Sequence, residues 1–121
     1  MILKINFGEI WLANLNPGKG TEPGKTRPVL IIQEQALLDI THPSTLIIPL
    51  STNLIDNAEP LRIRIKAKEN LKKDSDLLID QIRAVDNNRL QSHGPLTKCD
   101  DDFMLEVKQA ILEVMGFTSL A

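Results

Sequence analysis

The chain has no tyrosine, one tryptophan, one cysteine and two histidines among its 121 residues. A lone cysteine excludes a disulfide framework within the chain and a cysteine-rich zinc site, and it fits a reducing compartment. Cys99 has no His or Asn beside it in a legible signature, so it is not read as a thiol nucleophile. His42 and His93 fall in turn-rich stretches with no helical or strand spacing between them, and both are expected at the surface. No metal site and no other cofactor is therefore expected. No window approaches the roughly 18 consecutive apolar residues of a membrane span. Met1 to Phe7 is apolar only in patches and lacks a small-residue cleavage site, so no signal peptide is read there. A cytoplasmic protein without membrane contact is the expectation. An excess of positive charge is also missing: 14 Lys+Arg stand against 16 Asp+Glu, a formal charge of -2. That balance weighs against a nucleic-acid binder, whose affinity comes largely from neutralising phosphates. With so few aromatics, Trp11 is expected in a core or interface rather than as a base-stacking platform.

What is present is an ordinary globular composition, 42% hydrophobic and 25% charged, which excludes wholesale disorder. The length predicts one domain over 1–121 with one core. Gly8 to Leu15 reads as a first strand. Asn16 to Arg27 follows, holding three of the six glycines and two of the seven prolines, and it reads as a loop. A loop this long in a compact domain is usually functional or disordered. Pro28 to Gln33 and Thr45 to Leu50 are short apolar, β-branched runs, consistent with buried strands. Between them one helical turn is expected at Gln35–Leu38. Leu61 to Lys68 alternates cleanly, with Leu61, Ile63, Ile65 and Ala67 on one face and Arg62, Arg64, Lys66 and Lys68 on the other. Asp76 to Val85 reads as a further strand with a polar interruption, and Arg89 to Leu96 as a short strand and turn. The carboxy terminus is helical: Asp100 to Asp102 supply an N-cap and first-turn negative charge, Phe103, Val107, Ala110, Ile111 and Val114 recur at helical spacing, and Gly116 can stop the helix. Several short strands closed by one helix predict a small, partly open barrel or a strongly bent sheet.

Three features can carry chemistry. Arg27 sits at the junction of the glycine-rich loop and the Pro28 strand. Its rigid guanidinium fork suits a phosphate or carboxylate, and the alternative is a structural arginine paired with a nearby acid. Gly18-Lys19-Gly20 is not a P-loop, since the G-x-x-x-x-G-K-[ST] pattern is absent. Ser51 and Thr52 follow directly on a buried strand, where hydroxyls hold a phosphate or relay a proton, or simply make a turn. The basic row from Arg62 to Lys68 offers phosphate partners unless acids cover it; the alternative is an edge strand blunted against aggregation. Leu61 to Lys73 holds six basic residues and one acid, so the net charge averages a basic stretch with acids elsewhere.

Taken in order, G-E-I-W-L-A-N-L-N-P at 8–17, G-T-E-P-G-K-T-R-P-V-L-I-I-Q at 20–33, I-I-P-L-S-T-N at 47–53 and L-L-I-D-Q-I-R-A-V-D-x-x-R-L at 77–90 resemble the MazF/PemK family of toxins. A later G-P-L, an acidic stretch and the terminal helix also fit. The resemblance implies an α+β, mainly β fold, a small SH3-like barrel of CcdB/PemK type with a C-terminal helix, working as a homodimer. It implies the toxin of a type II toxin–antitoxin system. The activity implied is metal-independent, sequence-specific cleavage of single-stranded RNA, chiefly mRNA, through attack by the RNA 2′-OH, with a cognate antitoxin blocking the groove. The family's catalytic arginine falls on Arg27 and its catalytic hydroxyl on Ser51, with Thr52 adjacent, while the loop acid falls on Glu22. Cleavage of this kind needs a base for the 2′-OH, a cation for the charge developing on phosphorus and an acid for the departing 5′ oxygen. Arg27 suits the cation, Ser51 or Thr52 the orienting or relaying hydroxyl, and Glu22 the base. RNA contacts are expected from Lys19, Lys25 and Thr26, from Arg62, Arg64 and Lys66, and from Gln81 and Arg83. The alternatives are a non-enzymatic CcdB-like toxin that poisons DNA gyrase, and a decayed toxin that keeps only its interaction groove.

Overall fold

A computed structural model describes residues 4–22 and 24–117. Pro23 of the glycine-rich loop and Met1 to Leu3 of the segment read for a leader lie outside them. In chain order the elements are β1 (Glu9–Asn14), β2 (Thr26–Ile31), a short helix α1 (Gln35–Asp39), β3 (Ser44–Ser51), β4 (Arg62–Ile65), β5 (Ser75–Leu78), β6 (Arg83–Asp86), β7 (Thr97–Lys98) and the terminal helix α2 (Asp101–Val114). All strand pairings are antiparallel, in the order β4-β5-β3-β2-β1-β7, with β6 also on β3. The eight-residue β3 makes the sheet curl. One edge pairs with β2, while the other pairs with β6 through Ser44 to Ile47 and then with β5 through Leu50 and Ser51. The result is an α+β, mainly β half-barrel with a C-terminal helix, as expected.

The apolar runs are continuous because both faces of the central strands are covered. Ile10, Leu30, Ile48 and Leu50 point to one side, where they pack with Ile63, Leu77 and the Met104, Val107 and Ala110 stripe of α2. Trp11, Ala13, Val29, Ile31 and Ile47 alternate to the other side, against Ile5, Leu15, Leu38 and Leu90. Trp11 is thus a core residue, 2% exposed, and its indole donates to Glu9 Oε1 at 3.1 Å. Helix α2 begins where Asp100 accepts a hydrogen bond from the Phe103 amide at 2.8 Å. It ends at Gly116, whose φ of 80° allows the Gly116 and Phe117 amides to reach the Glu113 and Leu112 carbonyls.

Four boundaries differ from expectation. β2 starts at Thr26, because its pairing with β1 runs through Arg27 to Asn14. Arg27 therefore lies inside a strand. The Leu61 segment shortens to β4, because the chain doubles back at Lys68–Leu71, and Leu61 is half exposed. The Asp76 to Val85 segment divides into β5 and β6 around a 3₁₀ turn at Ile79–Gln81, which lets β3 change partner. Arg89 to Leu96 forms no strand; Leu90 makes a single bridge to Ala13, and the short β7 after it was not expected. Among the described residues no helix is long and apolar enough to cross a membrane.

Candidate active site

Directly opposed residues of antiparallel strands point to the same side of the sheet. The register pairs Ala13 with Arg27, Val29 with Pro49, Ile31 with Ile47, and Ile47 with Arg83. Arg27, Pro49, Ser51 and Arg83 therefore share one face, the face that carries Trp11 and Ala13 into the core. Arg27 and Ser51 stand at the same end of that face, where neighbouring strands leave the sheet.

Backbone carbonyls hold Arg27. Its Nε donates to the Gly24 carbonyl at 3.0 Å and its Nη1 to the Leu50 carbonyl at 3.2 Å. Among the described residues no carboxylate makes an ion pair with it. The guanidinium is half-buried and keeps its charge uncompensated one residue from Ser51. Gly24 can reach Arg27 because the loop is pinched at its base. A Cβ on Gly24 would lie 2.7 Å from the Gly18 amide nitrogen, and one on Gly18 would lie 2.9 Å from that of Gly24. Only glycine permits two backbones so close. The pinch is buttressed by Lys25 N donating to Asn16 Oδ1 at 2.6 Å, Leu15 N to the Lys25 carbonyl at 2.8 Å, and Arg89 Nη1 to the Asn14 and Asn16 carbonyls.

Ser51, the last residue of β3, is partly buried, and its Oγ accepts from the Asn53 amide at 3.1 Å. That leaves its hydroxyl proton free to donate elsewhere. Thr52 is exposed and lies beyond the strand. Glu22 is also exposed; its amide closes a small bridge to the Lys19 carbonyl at 2.9 Å. No hydrogen bond or ion pair among the described residues joins its carboxylate to Arg27 or Ser51. Lys19, Lys25 and Thr26 are exposed around the same loop, and Gln81 and Arg83 are half-buried.

The basic row is not free. Asp76, 1% exposed, faces it from β5 in register with both Ser51 and Arg64. Its carboxylate accepts from Arg64 Nε at 2.5 Å, Arg62 Nη1 at 3.2 Å and the Ile55 amide at 2.9 Å. Asp56 takes Arg64 from the exposed side at 2.9 Å. The expectation of four phosphate partners is corrected accordingly: acids cover Arg62 and Arg64, while Lys66 stays exposed and unpaired among the described residues. Burial by itself would raise the Asp76 pKa, but the bonds from Arg64, the Ile55 amide and Arg62 outweigh it and hold it below the ordinary value. The same pairing raises Arg64. Asp76 was missed in the sequence because its role depends on register, although its charge beside an alternating Arg strand was a usable signal.

Cys99 is buried, and loss of hydration pushes its thiol up to about 11, so it offers no thiolate. His42 and His93 are at the surface, and no group of three His, Cys, Asp or Glu among the described residues could hold a metal ion.

Residues 6–115 match the family described as PemK-like, MazF-like toxin of type II toxin-antitoxin system. The chain is 41% identical over 115 residues to Endoribonuclease MazF of Staphylococcus saprophyticus, covering 93% of this chain and 92% of that one. Its fold is similar to MazF from Deinococcus radiodurans, with a TM-score of 0.76 at 21% identity, over 94% of this chain and 98% of the other. It is also similar to a mycobacterial endoribonuclease solved in complex with its cognate antitoxin. That TM-score is 0.73 at 16% identity, over 95% and 98% of the two chains.

Proposed function

The chain belongs to the PemK-like, MazF-like family of toxins of type II toxin–antitoxin systems, and from that premise we propose that it is a metal-independent endoribonuclease that cuts single-stranded RNA, chiefly mRNA, at defined sequences. The observation that carries the proposal is the pairing of Arg27 with Ser51. An uncompensated guanidinium, held by two backbone carbonyls, stands beside a hydroxyl on the same sheet face.

The chemistry follows from what these groups can do. The RNA 2′-OH attacks the adjacent phosphorus as its proton passes to a base, and the P–O5′ bond breaks. The products are a 2′,3′-cyclic phosphate and a 5′-hydroxyl, so DNA is not a substrate. Negative charge grows on the non-bridging oxygens in the transition state, and a pre-fixed cation in a partly buried site stabilises it there. Arg27 takes that role, since an arginine is too weak an acid to be a general base near neutral pH. Ser51 orients the phosphate or passes a proton to O5′; it shares the face of Arg27, whereas Thr52 lies outside the strand. Glu22 takes the part of the base by reaching over from the loop when RNA is bound. Lys19, Lys25, Thr26, Lys66, Gln81 and Arg83 contact the RNA. The protein works in the cytoplasm as a homodimer of single toxin domains, and a cognate antitoxin neutralises it.

The test is cleavage of a long RNA by purified protein in EDTA. Discrete products are expected, with Arg27→Ala lowering kcat/KM by roughly 10²-fold or more. Wild-type cleavage by Arg27→Ala would sink the proposal, as would intact RNA accompanied by gyrase inhibition. An unchanged pH–rate profile in Glu22→Gln would remove Glu22 as the base.

A further inference from the structure

The mechanism does not use Asp76, the most deeply buried acid in contact with the site. A buried carboxylate needs partners, and a hydrophobic replacement of similar size is often no less stable, so stability alone is a poor account of it. What Asp76 holds is informative. The turn after Ser51 is exposed and outside regular structure from Thr52 to Asn57, Leu54 and Ile55 included. Three hydrogen bonds fix its path: Asn53 N to Ser51 Oγ at 3.1 Å, Ile55 N to Asp76 Oδ2 at 2.9 Å, and Arg62 Nη1 to the Asn53 carbonyl at 2.9 Å. The same Arg62 Nη1 donates to Asp76 Oδ2. Asp76 and Arg62, bonded to each other, thus hold the turn at Ile55 and at Asn53, with Ser51 and Thr52 at its start.

We propose that Asp76 is a positioning residue: with Arg62 it sets the turn that aims the strand-end hydroxyl at the phosphate held by Arg27. This rests on the proposed active-site pairing of Arg27 and Ser51. The two arginines read from sequence as phosphate partners then have another use. Arg64 holds Asp76 in place by a direct cross-strand bond, and Arg62 carries the grip to the Asn53 carbonyl. Placement errors near 1 Å cost about 10²-fold in rate, so a loosened turn shows first in kcat.

The experiment measures kcat and KM on a short RNA substrate for Asp76→Ala and Arg62→Gln, together with affinity for the same RNA carrying a 2′-deoxy scissile nucleotide. The expected result is a kcat lower by about 10- to 100-fold, with KM and the affinity for uncleavable RNA within about threefold. Repeating Asp76→Ala in a Ser51→Ala background should bring little further loss, because the effect travels through that hydroxyl. A role confined to folding would give the same loss in either background. Should Asp76→Ala not fold, Arg62→Gln decides, since it leaves the Asp76–Arg64 pair intact. Unchanged kcat in the variants while Arg27→Ala and Ser51→Ala are each strongly slowed overturns this proposal alone. An effect confined to KM also overturns it, and marks Arg62 as a phosphate contact. Full activity of Arg27→Ala and Ser51→Ala removes the active-site reading beneath it.

Discussion

Arg27, Arg62 and Arg64 are three arginines on neighbouring strands with different surroundings. Arg27 is bonded to carbonyls and makes no ion pair among the described residues; Arg62 and Arg64 pair with Asp76. The Asp76 pairing also makes stability depend on acid. The folded pKa of Asp76 lies below its ordinary value of 3.8, so the unfolded chain takes up a proton first as pH falls. The stabilisation is complete above about pH 5 and is lost as pH drops through the folded pKa. The melting temperature of the wild type should therefore fall more steeply than that of Asp76→Asn between about pH 5 and about pH 2. Parallel curves by circular dichroism would mean that Asp76 does not carry the acid sensitivity.

At the scale of elements, the loop between β1 and β2 and the long β3 position Arg27 and Ser51. The twelve residues from Asn16 to Arg27 read as a loop because of their glycines and prolines, and so they are up to Lys25. Their shape comes from a backbone crossing at Gly18 and Gly24 that composition does not reveal. In Gly24→Ala the new Cβ meets backbone atoms of Gly18 that cannot move aside. The expected outcome is about 1–3 kcal/mol of destabilisation in urea, with slower cleavage as the Gly24 carbonyl leaves Arg27. Gly20→Ala is the control: its Cβ meets nothing within 4 Å, although its φ of 58° still costs roughly 1–2 kcal/mol. Cleavage should survive in that variant, and equal loss in both would point to loop strain rather than the crossing. Most of the strands were legible, β2 and β3 from apolar β-branched runs and β4 from clean alternation, while β7 was not. The split of Asp76 to Val85 into two was not, because it is forced by β3 changing partners rather than by anything local.

Across the whole molecule, a net charge of -2 and RNA cleavage are reconciled by where the cations stand. Two of the basic residues counted between Leu61 and Lys73 are already neutralised, whereas Arg27, in β2, makes no ion pair among the described residues. Affinity for single-stranded RNA should fall with salt at a slope of about 0.7 per phosphate contacted. Replacing Arg62 and Arg64 by Gln should leave that slope nearly unchanged. Replacing Lys19 and Lys25 should lower it by about 0.7 each. The opposite pattern would return the basic strand to the RNA-binding surface.

Apolar runs, alternation, caps and breaker residues are local, so the strands around Ile10, Leu30 and Ile48 and the terminal helix from Asp101 could be read from sequence alone. Which arginine is free and which is spent could not. That choice depends on β5 lying in register between β3 and β4, which sets Asp76 opposite both Ser51 and Arg64. Register is a property of the assembled sheet: it joins Asp76 to residues 12 and 25 positions away in the chain, and only the packing of both apolar faces selects it.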